Sequence, residues 1–257
     1  MAVDEALLRS CQGSGTAFGA TLRLYAWLPA ALSLGKTQPA AGAHDDAVLR
    51  AEGIDLVRRP TGGRAVLHDA ERTYALVSRR SASFPGGVLD TYRRISAALH
   101  EALRALGLAT EGAPRMPSRE RDSGEGRASC FSRVSAHEIV VDGRKIVGSA
   151  QLRARDSFLQ HGSILLCADP SRIGRATGTR VDPRGFAGLD DVCGRRLELE
   201  ELDAALIRGF ESVFGVGFVT VPLSGEERLA ATRLRTTKYL SAEWTLAGVD
   251  ASAHVEE

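Results

Sequence analysis

The chain has 257 residues, 33 Lys and Arg against 32 Asp and Glu, and a formal net charge of +1; 44% of it is hydrophobic and 25% charged. That length makes one large domain or two small ones, able to bury ~70–75% of the unfolded surface without a disulfide or metal staple. The balanced charge argues against a protein that wraps nucleic acid or coats an acidic membrane, which needs a large positive excess. It leaves room for a local basic pocket. Cys11, Cys130, Cys167 and Cys193 form no C-x-x-C pair, so neither a zinc ribbon nor a thioredoxin-type redox site is expected. Asp4 and Glu5 stand where a signal peptide would be basic, and no run reaches the ~18 apolar residues of a membrane span. These features predict a cytoplasmic protein with reduced thiols, no metal site and no membrane partner.

Residues 2–11 predict a helix, with acids in the first turn and Ala6, Leu7 and Leu8 as apolar positions. Residues 21–28 alternate with strand period until Pro29, and 31–34 predict a second short strand. A short helix over 44–52 is closed by Gly53. Strands are expected at 54–59, 65–67 and 73–78, joined through Thr61-Gly62-Gly63. Val88, Tyr92, Ile95, Leu99 and Leu103 recur at spacings of three and four, predicting a long helix over 87–106 that Gly107 stops. Residues 110–128 are polar and rich in Gly, Pro and Arg, and predict a long loop, a class of segment that is often functional.

A hairpin follows, 138–141 turning at Asp142-Gly143 into 145–152, and 158–166 predict a further strand. Residues 199–214 predict an amphipathic helix and 216–221 a strand. Ser224 with Glu227 forms a capping box for a last helix to about residue 238. With no repeat and no linker, hairpins mixed with helices predict a single α+β domain over residues 1–257, built on a largely antiparallel sheet.

Three segments are unusual for a plain core. In the run Arg58-Arg59-Pro60-Thr61-Gly62-Gly63-Arg64-Ala65-Val66-Leu67-His68-Asp69, two glycines let backbone N–H groups approach a ligand while arginines surround the turn. That suits a phosphate, a carboxylate or a developing oxyanion; the glycines alone equally describe an ordinary hairpin with solvated arginines. Lys145 precedes Gly148-Ser149-Ala150, whose small side chains imply that something lies against the strand, the alternative being a bulge with Lys145 in water. Cys130 ends the long loop. A reactive thiolate there needs a nearby cation, and the hairpin could bring Lys145 to it; a buried, inert Cys130 is the alternative.

Cys11 and Cys167 read as packing residues, and Cys193 sits in a polar loop. His161 follows Gln160 within a strand and either enters a pocket or is satisfied by hydrogen bonds. His68 and Asp69 are adjacent strand residues facing opposite ways, so they make no dyad.

Together these segments resemble the biotin/lipoate protein ligase catalytic-domain superfamily, which is expected to share an α+β fold. The resemblance rests on Arg58 to Asp69, on Lys145-Ile146-Val147-Gly148-Ser149-Ala150-Gln151 and on Gln160-His161-Gly162-Ser163. The opening Met1 to Leu8 and Ser33-Leu34-Gly35-Lys36-Thr37-Gln38 fit as well. The family normally has a short strand ahead of the segment matched by residues 1–8, and Ala75 stands where relatives often carry Ser. ATP-dependent lipoate ligases typically carry a third glycine where this chain has Arg64. The chain is more similar to the cysteine-dependent octanoyltransferases, with Gly-Gly-Arg, Cys130-Phe131 before the hairpin and Gln-His-Gly-Ser.

The resemblance implies an acyltransferase of lipoate biosynthesis that moves octanoate from octanoyl-acyl carrier protein to a lysine of the glycine cleavage H protein or another lipoyl domain. Cys130 would be the nucleophile and Lys145 the group that lowers its pKa. Arg58, Arg59, Thr61, Gly62, Gly63, Arg64, His68, Gly148, Ser149, Ala150, Gln151, His161 and Gly162 would bind substrate. No cofactor is expected. In the alternative, an ATP-dependent ligase, ATP and magnesium would enter, Lys145 would contact an acyl-adenylate and Cys130 would be passive. A third possibility is an inactive module that binds an acyl group or carrier protein. Both protein partners would be acidic, matching a basic rim at Arg58 and Arg59.

Overall fold

The computed structural model describes residues 1–12, 19–79, 84, 86–112 and 138–250. Helix α1 (Ala2–Gln12) leads into β1 (Ala20–Tyr25) and β2 (Ala31–Leu34), then α2 (Asp46–Glu52), β3 (Asp55–Arg58), β4 (Val66–His68) and β5 (Glu71–Arg79). Helix α3 (Val88–Ala105) precedes β6 (Glu111–Gly112), β7 (Ile139–Val141), β8 (Arg144–Arg153) and β9 (Ser157–Leu165). The remainder is helical: α4 (Pro170–Thr177), α5 (Leu189–Cys193), α6 (Leu199–Phe214) and α7 (Gly225–Leu234), then π-helical turns at Arg235–Tyr239 and Glu243–Ala247.

Six strands form one antiparallel sheet in the order β1-β5-β9-β8-β7-β6, and three form a second, β3-β2-β4. The expected α+β fold with a largely antiparallel sheet is therefore present. Ile95, Ala98, Leu99 and Leu103 of α3 pack with Leu202, Leu206 and Phe210 of α6 against one face of the large sheet. Leu7, Leu8 and Cys11 of α1 cover Ala75, Val77 and Leu159 on the other face. The small sheet has its own core, in which Leu32, Leu34 and Leu67 meet Leu165, Ile173 and Phe186. The cleft described below opens where the two sheets meet.

Several details differ from expectation. β1 ends at Tyr25, because Leu28 is wholly exposed. β3 and β4 are no hairpin: β2 lies between them, parallel to β3 and antiparallel to β4. Residues 216–221 are not a strand. The Phe218 N–H is taken by Glu211 Oε1 at 2.8 Å instead of a strand neighbour, and Val216, Val219 and Val221 stay exposed. Cys167 lies beyond the end of β9 and is exposed, not packed. Helix α4 was not anticipated, although Asp169 caps it at the Arg172 N–H and Pro170 opens it, both readable start signals. Among the described residues no helix is long and apolar enough to cross a membrane.

Candidate active site

The cleft is open on one side and holds a cavity of about 60 Å³ among the described residues. Its floor is the stretch of β8 and β9 in which Gly148 pairs with Ser163, Ser149 with Gly162, and Ala150 with His161. These small residues leave the space that the strand pattern implied. At Gly162 a Cβ would stand 2.6 Å from the Gly148 carbonyl oxygen and from Cε1 of Tyr74, so only glycine fits.

Lys145 reaches this face through a β-bulge. Val140 pairs with Lys145 while Ile139 pairs with Val147, so Ile146 is an extra residue on β8. In a regular strand Lys145 and Gly148 would face opposite ways; here Ile146 and Val147 both enter the core and Lys145 joins the cleft lining. The alternative reading joined a bulge to a solvated Lys145; the bulge is present, but the side chain is 0% exposed and its ammonium donates to Glu138. A buried ammonium needs such a partner.

The glycine loop forms one wall. Arg59 is buried and donates to the Ser33 carbonyl at 3.0 Å, to Gly62 O at 2.9 Å and to Arg64 O at 2.7 Å. The Lys36 N–H donates to Thr61 O at 2.8 Å. Gly62 and Gly63 line the cleft, and their N–H groups have no partner among the described residues. They are candidate donors to a developing oxyanion.

Two histidines complete the lining. The His161 Nε2 shares a hydrogen with Thr61 Oγ1 at 2.7 Å, and its Nδ1 lies 4.0 Å from Asp4. Burial lowers the His161 pKa below the usual histidine value, the pull of Asp4 notwithstanding, and Arg59 adds to the lowering. His68 bonds Ser33 Oγ through Nε2 at 2.8 Å and Glu71 through Nδ1 at 2.9 Å. Because Ser33 Oγ already accepts from Arg59, its own hydrogen is best placed on His68 Nε2. That leaves the His68 proton on Nδ1, donated to Glu71. Trp27 stacks on His68 at 4.3 Å and donates to Thr73 Oγ1 at 2.8 Å.

Of the expected site residues, Arg59, Gly62, Gly63, His68, Lys145, Gly148, Ser149, Ala150, His161 and Gly162 line the cleft. Thr61 supports it through His161. Arg64 contributes its carbonyl to Arg59, and Gln151 bonds Gln160 at 2.9 Å away from the lining. Arg58 does not line the cleft. Only 1% exposed, it donates to Gly35 O, Gln38 O, Trp244 O and Leu246 O. With Arg59 equally committed to carbonyls, there is no basic rim at these two positions. Cys130 and most of the expected loop lie outside the described residues.

Glu138, Asp4, Ser33, Glu71 and Trp27 were not anticipated in the site. Glu71, three residues after His68 across a tight turn, was the most readable, since that spacing lets its carboxylate reach back to the imidazole. Asp4 passed as an ordinary first-turn acid.

The chain matches, over residues 1–211, the family model described as the lipoyl protein ligase A/B catalytic domain. It belongs to that family. The lipoyl protein ligase A/B relatives similar to it include octanoyltransferase LipM of Kyrpidia tusciae, 42% identical over 256 residues, covering 95% of this chain and 92% of the relative. Octanoyltransferase LipM of Bacillus subtilis is 36% identical over 257 residues, with the same two coverages. Among solved structures, lipoate-protein ligase A bound with ATP superposes with a TM-score of 0.81 at 25% identity, covering 96% of this chain and 93% of that one. A lipoate protein ligase from T. acidophilum with bound lipoic acid gives 0.80, also at 25% identity, with coverages of 96% and 92%.

Proposed function

We propose that this chain takes an octanoyl group from octanoyl-acyl carrier protein onto Cys130 and passes it to a lysine of a lipoyl domain, the glycine cleavage H protein being the expected acceptor. The chain is an acyltransferase of lipoate biosynthesis. The observation that carries the mechanism is Lys145, a buried ammonium brought by the bulge into a cleft floored by small residues. An adjacent ammonium lowers a thiol pKa and polarises an acyl carbonyl.

The chemistry balances without ATP. Cys130 gives up its proton and its thiolate attacks the octanoyl thioester; the carrier sulfur leaves as a thiolate and takes up that proton, so one thioester replaces another. The acceptor lysine, as the free amine, then displaces Cys130 to form an amide, which is downhill. Gly62 and Gly63 supply N–H donors to the oxyanion in both steps. The acyl tail gains ~0.8 kcal/mol per methylene buried, and Gly148, Ala150 and Gly162 leave room for it. We assign the reaction to the cytoplasm and to no metal or nucleotide.

The ligase alternative has one observation in its favour, the fold match to an ATP-bound lipoate ligase; the higher sequence identity to octanoyltransferases favours transfer. The two are separated by incubating the chain with octanoyl-acyl carrier protein and a lipoyl domain, without nucleotide. Octanoylation of the domain is expected. Modification only on addition of ATP and free octanoate would make the chain a ligase.

A further inference from the structure

We infer that Glu138 is a positioning residue whose carboxylate keeps Lys145 charged and aimed into the cleft. The inference rests on the reading of Lys145 as the group that activates Cys130. Lys145 is 0% exposed and Glu138 6%, and the two are joined by a direct hydrogen bond. Burial on that scale drives a lysine toward its neutral form unless an opposite charge sits beside it.

Among the described residues no side chain that lines the cleft supplies that charge. Arg59 from the glycine loop, His68 from β4 and His161 from β9 are cationic when charged, and burial keeps the Tyr25 phenol of β1 neutral. The carboxylates of Glu71 and Asp4 stand behind His68 and His161, engaged with those rings and with Thr73, Arg23 and Tyr25. On the opposite edge of β8, Lys145 is flanked by backbone: its N–H donates to Gly185 O, and its carbonyl accepts from Ala187. Asp182 and Arg184 of that segment are exposed.

Glu138 also stands one residue before β7, the strand against which the bulge forms. One local unit therefore sets both the direction of Lys145 and its charge. A neutral Lys145 amine could not stabilise a thiolate.

The test is the rate at which iodoacetamide alkylates Cys130 at neutral pH, followed on the Cys130 peptide by mass so that Cys11, Cys167 and Cys193 do not interfere. In Glu138→Gln the amide oxygen still accepts from Lys145 but the charge is gone. Alkylation is expected to slow about tenfold or more, tenfold being the effect of one pKa unit on thiolate fraction. Glu138→Asp, which retains the charge, is expected to stay close to the wild-type rate. It carries the test if the Gln variant folds poorly. A Gln variant that reacts as fast as wild type, or faster, overturns the inference, because Glu138 would then merely neutralise the ammonium. An Asp variant slowed as much as Gln overturns it as well. Failure of the underlying reading shows separately, as a wild-type protein whose Cys130 takes no octanoyl group from the donor.

Discussion

Lys145→Met is expected to lower octanoyl transfer by about 10²–10³-fold, the loss that removing one positioned donor to a developing oxyanion causes. The substitution also breaks the buried Lys145–Glu138 pair, which costs about 3–5 kcal/mol. Loss of activity alone would thus confuse chemistry with folding. The double variant Lys145→Met/Glu138→Gln separates them: removing both charges is expected to restore most of the stability and none of the rate. Single-turnover transfer and the urea midpoint, measured on the same preparations, give the two readouts. A double variant that recovers both would mean that Lys145 serves the fold and not the reaction.

Gly35→Ala is the second large effect expected, at a position with no reactive group. A Cβ there would lie 1.9 Å from the Gly63 carbonyl oxygen and 2.7 Å from its carbon. Both are backbone atoms, so the glycine loop must move. Overpacking costs about 1–3 kcal/mol, and displacing an oxyanion donor by about 1 Å is worth ~10²-fold in rate. Gly62→Ala is the control, because a Cβ at Gly62 meets nothing within 4 Å. Its stability is expected to stay within ~0.5 kcal/mol of wild type. The prediction fails if Gly35→Ala melts and transfers like wild type.

What was legible in the sequence was local. Helix α6 matches its apolar periodicity residue for residue, and the Asp142-Gly143 turn produces the expected hairpin. The Ser224–Glu227 capping box is present, both of its hydrogen bonds made. The small residues at 148–150 correctly signalled a space above the strand. The site's polar wiring was not legible, for reasons that are physical.

Two adjacent arginines normally read as surface. Arg58 is buried because carbonyls 186 and 188 residues away, at Trp244 and Leu246, converge on it. The second π-helical turn, which a helix ending near residue 238 did not foresee, presents them. A period-two reading puts Lys145 and Gly148 on opposite faces, and only the extra residue at Ile146 reverses that. A bulge follows from how β7 and β8 pair, which one strand's pattern does not contain. In the same way residues 216–221 alternate like a strand but pair with no strand among the described residues, and Glu211 claims the Phe218 N–H.

Transfer by this mechanism requires a covalent octanoyl-Cys130, and intact mass tests for it most directly. Wild-type protein and Cys130→Ala are mixed with octanoyl-acyl carrier protein, without ATP and without acceptor. The wild type is expected to gain one octanoyl group that hydroxylamine removes, and Cys130→Ala to gain none. An octanoyl group on both proteins, or on neither while transfer to a lipoyl domain still proceeds, would contradict the thioester mechanism.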